Sequence, residues 1–168
     1  MQLIEINKAR YRRHLNLVIA CCIGGLVIGS LAISQTLIAI FPNESGRHFY
    51  WNLLGVVMTS VTIAWLLNKY RTHDFMTEVV YVWELKQALN KITRRMTKLK
   101  AAGSKGNANA LTAINYSYAG SRLLWQLDDN TILMDELSIQ KAELDSLAKQ
   151  YNLILNVDDY DERILKHF

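Results

Sequence analysis

The chain has 168 residues and a formal net charge of +4; 51% of the residues are hydrophobic and one is a proline. That composition excludes a disordered or Pro-rich linker, whose low hydrophobicity cannot offset the entropy of ordering the backbone. The two cysteines, Cys21 and Cys22, are neighbours in an apolar run, which excludes a disulfide framework and a multi-cysteine zinc site.

Charge is separated along the chain. Residues 1–16 form a basic segment, with Lys8, Arg10, Arg12 and Arg13 against Glu5, and residues 17–67 hold only Glu44 and Arg47. Between Asn68 and Lys105 there are nine Lys/Arg against three acids, whereas Asp128 to Phe168 has ten acids against four bases. Such separation marks surfaces made for a membrane, for nucleic acid or for each other.

Leu17 to Phe41 is an uncharged run of 25 residues, longer than the roughly 20 needed to cross about 30 Å of hydrocarbon. Pro42 follows, and residues 42–48 read as a turn. The next uncharged run, Phe49 to Leu67, has 19 residues, with Tyr50, Trp51, Trp65 and Tyr70 where amphipathic rings favour the lipid–water interface. Residues 17–67 are therefore expected to form a transmembrane hairpin with spans at about 17–41 and 49–67. Lys/Arg before the first run and after the second place both termini in the cytoplasm. A cleaved signal peptide is disfavoured, because the first run exceeds the roughly 7–15 apolar residues such a peptide needs.

Cys21, Gly25 and Gly29 form a small-residue stripe that admits another helix backbone, either of a second copy or, in the favoured reading, of the second span near Gly55, Thr59 and Thr62. Gln35 is expected to face protein rather than lipid. No Asp, Glu, Lys, Arg or His lies within either span, which argues against an ion-coupled carrier.

Residues 68–168 are expected to be a cytoplasmic helical domain. Val82, Leu85, Leu89, Ile92, Met96 and Leu99 recur at alternating steps of three and four, predicting one helix of about 25 residues with Asp74 as N-cap and an end at Gly103 to Gly106. A second helix is predicted over 108–127, with Leu111, Ile114, Tyr118 and Trp125 on one face. A third is predicted over 131–151, with Leu133, Leu137, Leu144, Leu147 and Tyr151. The segment after Val157 has room for a short fourth. The fold class is thus all-α, a two-helix transmembrane hairpin followed by an antiparallel three- or four-helix bundle.

The first of these helices is basic through Lys86, Lys91, Arg94, Arg95, Lys98 and Lys100, and the third is acidic through Asp135, Glu136, Glu143 and Asp145. Pairing of the two faces is the favoured reading, ahead of anionic lipid on the basic face. Nucleic acid is disfavoured, since no recognised binding motif accompanies the stripe.

No catalytic constellation stands out. His14, His48, His73 and His167 are scattered, and His73-Asp74 reads as a cap. The acidic clusters lack the order of a calcium loop, and Gly103 to Asn107 lacks the spacing of a phosphate loop. Trp83, Tyr116, Tyr118 and Trp125 either fill the core or line a ligand pocket.

Glu5 to Arg12, His48 to Leu53, Phe75 to Lys86, and Ser117 to Arg122 with Trp125 to Thr131 resemble a family of small proteobacterial membrane proteins known as a domain of unknown function. The resemblance covers nearly the whole chain and implies an inner-membrane location; it carries no activity. The expected role is a non-catalytic assembly, scaffold or accessory subunit with no cofactor or metal, partnered by the bilayer and by a protein or a second copy. A membrane-anchored small-molecule sensor is the alternative, and an enzyme the third class.

Overall fold

The computed structural model describes residues 2–42, 48–130 and 132–168. Among these it has six α-helices: α1 Lys8–Ile40, α2 Phe49–Lys69, α3 Thr77–Thr93, α4 Met96–Gly103, α5 Ala108–Leu127 and α6 Met134–Gln150. Short 3-10 turns occupy Asp74–Met76, Val157–Asp159 and Glu162–His167, and no strand is present among the described residues. Most of the turn expected at 42–48 lies outside the described residues, as does Thr131, the expected start of the third bundle helix.

Two compact units emerge, one formed by Ala9–Val80 and the other by Met1–Lys8 with Tyr81–Phe168. The division falls inside α3 rather than between Leu67 and Asn68. In the first unit α1 starts at Lys8, so most of the basic segment is already helical. Both α1 and α2 are long and apolar enough to cross a membrane. Asp74 does not cap a helix; the His73 ring does, its Nδ1 accepting from Phe75 N at 3.2 Å. The reason is local, since His73 keeps the extended backbone that an N-cap needs (φ −75°, ψ 141°).

The second unit is organised around α5. This helix was expected to be apolar on one face, yet Ala113, Asn115, Tyr116, Ser117 and Gly120 are buried together with Leu111, Ile114 and Tyr118. Small residues make this possible by letting neighbours close in from several directions. A Cβ on Gly120 would stand 2.9 Å from Leu89 Cδ2 and 3.3 Å from Leu85 Cδ1. Asn107 caps the helix, its Oδ1 accepting from Ala110 N at 3.0 Å. Before it, Gly106 turns the chain with φ +81°, where Tyr151 leaves no room for a Cβ. The Tyr151 hydroxyl donates to Ser104 O at 2.8 Å and ties the end of α6 to this loop.

The predicted 25-residue helix is interrupted. At Arg95 (φ −111°, ψ 5°) the N–H bonds Ile92 O, one turn of tighter geometry, before α4 resumes. The new direction brings Gly103 against Leu111 and Ile114 of α5. The apolar stripe survives the break, with Val82, Leu85, Leu89, Ile92 and Leu99 buried. Around the same core, Ile4 N donates to Tyr81 Oη at 2.8 Å, while the Tyr81 hydroxyl donates to Gln2 O at 3.2 Å. The C-terminal segment forms no α-helix. Asn156 and Asp161 cap its two 3-10 turns, which bury Tyr160 and Leu165.

Leu85 has no solvent exposure, whereas Ile139 is 62% exposed. Leu85→Ala is therefore expected to lower the stability of this unit by about 2–5 kcal/mol and Ile139→Ala by no more than about 0.5, measured by chemical denaturation of the full chain in detergent. At the C-terminal turn, hydrogen bonds from the Arg163 side chain and backbone hold the Asp161 carboxyl down at about 2. A lowered acid stabilises above its unfolded value near 4, and that contribution is lost as pH falls through about 2. Asp161→Asn is expected to flatten the acid limb of thermal stability between about pH 4 and 2, read by circular dichroism.

Candidate functional site: a small-residue seam and the cleft beside it

In the first unit α1 and α2 meet through residues that offer almost no side chain. A Cβ on Gly29 would lie 2.7 Å from Thr59 Cγ2, and one on Gly55 would collide with the Ser34 hydroxyl and lie 2.7 Å from Ser30 O. Gly25 pairs more loosely, with Ile63 Cδ1 3.8 Å from its would-be Cβ. The partners' numbers fall in α2 as they rise in α1, so the two helices run antiparallel along this seam. Ser34 and Thr59 are buried polar residues, and each is satisfied locally. The Ser34 hydroxyl donates to Trp51 O at 3.4 Å and that of Thr59 to Gly55 O at 2.8 Å.

Two expected packing residues are placed elsewhere. Gln35 is exposed rather than in the seam, because one residue along a helix turns the side chain by about 100° and Ser34 takes the inward position. Cys21 is likewise exposed, with Cys22 half-buried beside it. Near these cysteines the seam opens into a cleft of about 470 Å³. Leu17, Cys22 and Gly25 form one wall, Ile63 and Leu66 the other, and Phe75 and Met76 also line it, with Tyr70 and His73 as its polar-tipped rings.

Beside the cleft residues, the start of α3 is anchored to α1 by charge. Arg10 Nε donates to Glu78 Oε1 at 2.9 Å, and His14 Nδ1 stands 3.5 Å from Glu78 Oε2. The His14 ring stacks on Phe75 with centroids 4.0 Å apart. The pattern of the sequence held no signal for this trio, because Glu78 lies 64 positions from His14 and 68 from Arg10.

The charged faces of the second unit are arranged differently from expectation. Among the described residues, no ion pair joins Lys86, Lys91, Arg94, Arg95, Lys98 or Lys100 to Asp135, Glu136, Glu143 or Asp145. Both α4 and α6 pack on α5, and that shared partner takes the interface the charges were expected to form. Lys86 instead meets Asp128 at 3.4 Å and Lys91 meets Glu162 at 2.6 Å. Asp145 pairs with Lys141 on its own helix, and Glu136 accepts from Gln140. Arg94, Lys98 and Lys100 are exposed with no carboxylate within 4.0 Å among the described residues.

The four aromatics do not converge on a pocket. Trp83 is 53% exposed, whereas Tyr116 is fully buried and stacks on Tyr160 with centroids 4.2 Å apart. Burial pushes the Tyr116 phenol well up and that of Tyr160 up to about 12, so both stay protonated. Tyr118 does line a groove, of about 360 Å³ between α5 and α6, together with Arg122, Ser138 and Lys141. Among the described residues no group of three or more His, Cys, Asp or Glu is placed to hold a metal ion.

Because Gly55 has no free space toward Ser34, Gly55→Val is expected to destabilise the α1–α2 pair by about 1–3 kcal/mol, whereas Val56→Leu, on the exposed side, shifts it by no more than about 0.5. Thermal unfolding in detergent followed by tryptophan emission would check this.

No curated protein and no solved structure matches this chain. The family model described as "Protein of unknown function (DUF3087)" matches residues 1–165, and the chain belongs to that family.

Proposed function

We propose that α1 and α2 span a bacterial inner membrane as a hairpin with both termini cytoplasmic, and that α3 to α6 form a cytoplasmic bundle. In this reading the protein is a non-catalytic accessory or scaffold subunit. One observation carries the membrane part: apart from the seam, the long helices present large apolar side chains to the outside, among them Ile23, Val27, Ile28, Val57 and Val61. An exposed apolar surface of that extent matches a bilayer better than water. Lys8, Arg10, Arg12 and Arg13 before the first span, with Lys69 and Arg71 after the second, support the orientation.

The docking role rests on Arg94, Lys98 and Lys100. Lys86 and Lys91 are engaged internally and Arg95 is half-buried, which leaves these three as the exposed cations of that face available to an acidic partner surface. Affinity capture of the full chain from its native membrane, in mild detergent, tests the role. The expected result is a stoichiometric partner protein that is lost in the variant Arg94→Glu/Lys98→Glu/Lys100→Glu while membrane integration is kept. Recovery of the chain alone, even after gentle crosslinking, would sink the docking role. The groove lined by Tyr118, Arg122 and Lys141 favours a second reading, a sensor of a small anionic molecule. Organic extraction of the same preparation would then release an anion that Arg122→Ala fails to retain.

A further inference from the structure

Resting on that membrane-spanning reading, we infer that the cleft between α1 and α2 binds one acyl chain of an anionic phospholipid, its phosphate held by His73, which lines the cleft, and by Lys69, whose ammonium stands beside the lining Tyr70. The void is built by residue choice. The two helices close tightly at Gly29–Thr59 and at Gly55–Ser34, yet at Gly25 the nearest atom to a would-be Cβ is 3.8 Å away, and Cys22 adds little bulk. The space this leaves, about 470 Å³, falls in the range of roughly 300–1,000 Å³ that takes one small molecule. It is too small for another helix, which is about 10–12 Å across.

The chemistry of the walls selects a hydrocarbon chain. Leu17, Ile63, Leu66, Phe75 and Met76 are apolar. Leu17 and Leu66 are also 53% and 39% exposed, so the cleft is continuous with the apolar surface that faces lipid and fills from the bilayer.

The rim selects the head group. The Lys69 ammonium stands 4.9 Å from the Trp65 ring and 6.0 Å from the Tyr70 ring, and among the described residues it has no carboxylate partner. Tyr70 and His73 both line the cleft, their rings 6.5 Å apart. His73 Nδ1 accepts from Phe75 N, so the neutral ring carries its proton on Nε2 as a donor. An ammonium 6.0 Å from the ring of one lining residue and an N–H donor on another fit a phosphate whose acyl chain lies inside the apolar cleft.

The test reconstitutes the full-length protein in phosphatidylcholine vesicles containing phosphatidylglycerol, re-extracts it in mild detergent and weighs it intact. Wild type is expected to retain one phosphatidylglycerol per chain, preferred over phosphatidylcholine by about tenfold or more. Gly25→Leu and Cys22→Phe, each adding bulk at a residue that lines the cleft, are expected to lose the bound lipid. Lys69→Gln is expected to keep a lipid but lose the preference for the anionic one. Absence of retained lipid in wild type, or equal retention in wild type and both cleft-filling variants, overturns the proposal. If the protein nevertheless resists alkaline carbonate extraction, the membrane-spanning reading stands; release of wild type into carbonate overturns both.

Discussion

The burial of α5 on nearly every side is the constraint on which the larger unit depends. A helix enclosed all round must let several neighbours approach closely, and α5 does so by carrying Ala110, Ala113, Ser117 and Gly120 between its large residues. Leu85 and Leu89 of α3 reach Gly120, Gly103 of α4 lies on Leu111, and α6 packs along another side. The chain's last residues also depend on it, because Tyr160 is buried against Tyr116. Once these contacts are made, the charged side chains have little say in the pairing; exposed ion pairs contribute only about 0–1 kcal/mol each.

Under the membrane-spanning proposal, the smaller unit solves the opposite problem with related means. In lipid an apolar side chain gains little by leaving one hydrocarbon neighbour for another, so association there rests on close packing and on satisfied polar groups. Gly29 and Gly55 supply the packing, and Ser34 and Thr59 stay in the seam because each finds a backbone carbonyl. Residues that make α5 a core in one unit thus make a helix seam in the other. The difference lies in what surrounds them.

Much of this was legible in the residues. The alternating steps from Val82 to Leu99 marked the buried stripe, and the helix predicted over 108–127 is α5. The break at Arg95 was hidden because neither glycine nor proline stands there; packing on α5 redirects the chain without a local breaker. Central placement of α5 was hidden too, since alanine and serine read as neutral in a periodicity and reveal their role only against a neighbour. Gln35 shows a third limit. Polarity argued that Gln35 should face protein, but Gln35 is exposed, and the helical turn of about 100° per residue gives the inward position to Ser34.

The separation of charge along the sequence is used in part as its pattern suggested, though through acids other than those of α6. Two blocks of opposite sign invite the inference that they attract, and two pairs do join them, Lys86–Asp128 and Lys91–Glu162, but neither uses the acidic face of α6, whose Asp145 pairs with Lys141 on its own helix. What remains is Arg94 in the break before α4 and Lys98 and Lys100 on α4, exposed and with no carboxylate within 4.0 Å among the described residues. An exposed charge without a partner adds little to folding, and like charges close together weakly oppose it. Their presence on one short stretch of chain is better accounted for by binding than by stability, because a surface of one sign raises the association rate of an oppositely charged partner at no expense to the core. The same logic applies to Lys69, held over Trp65 and Tyr70 without a carboxylate: in both units the positive charge that folding leaves over lies where another molecule can use it.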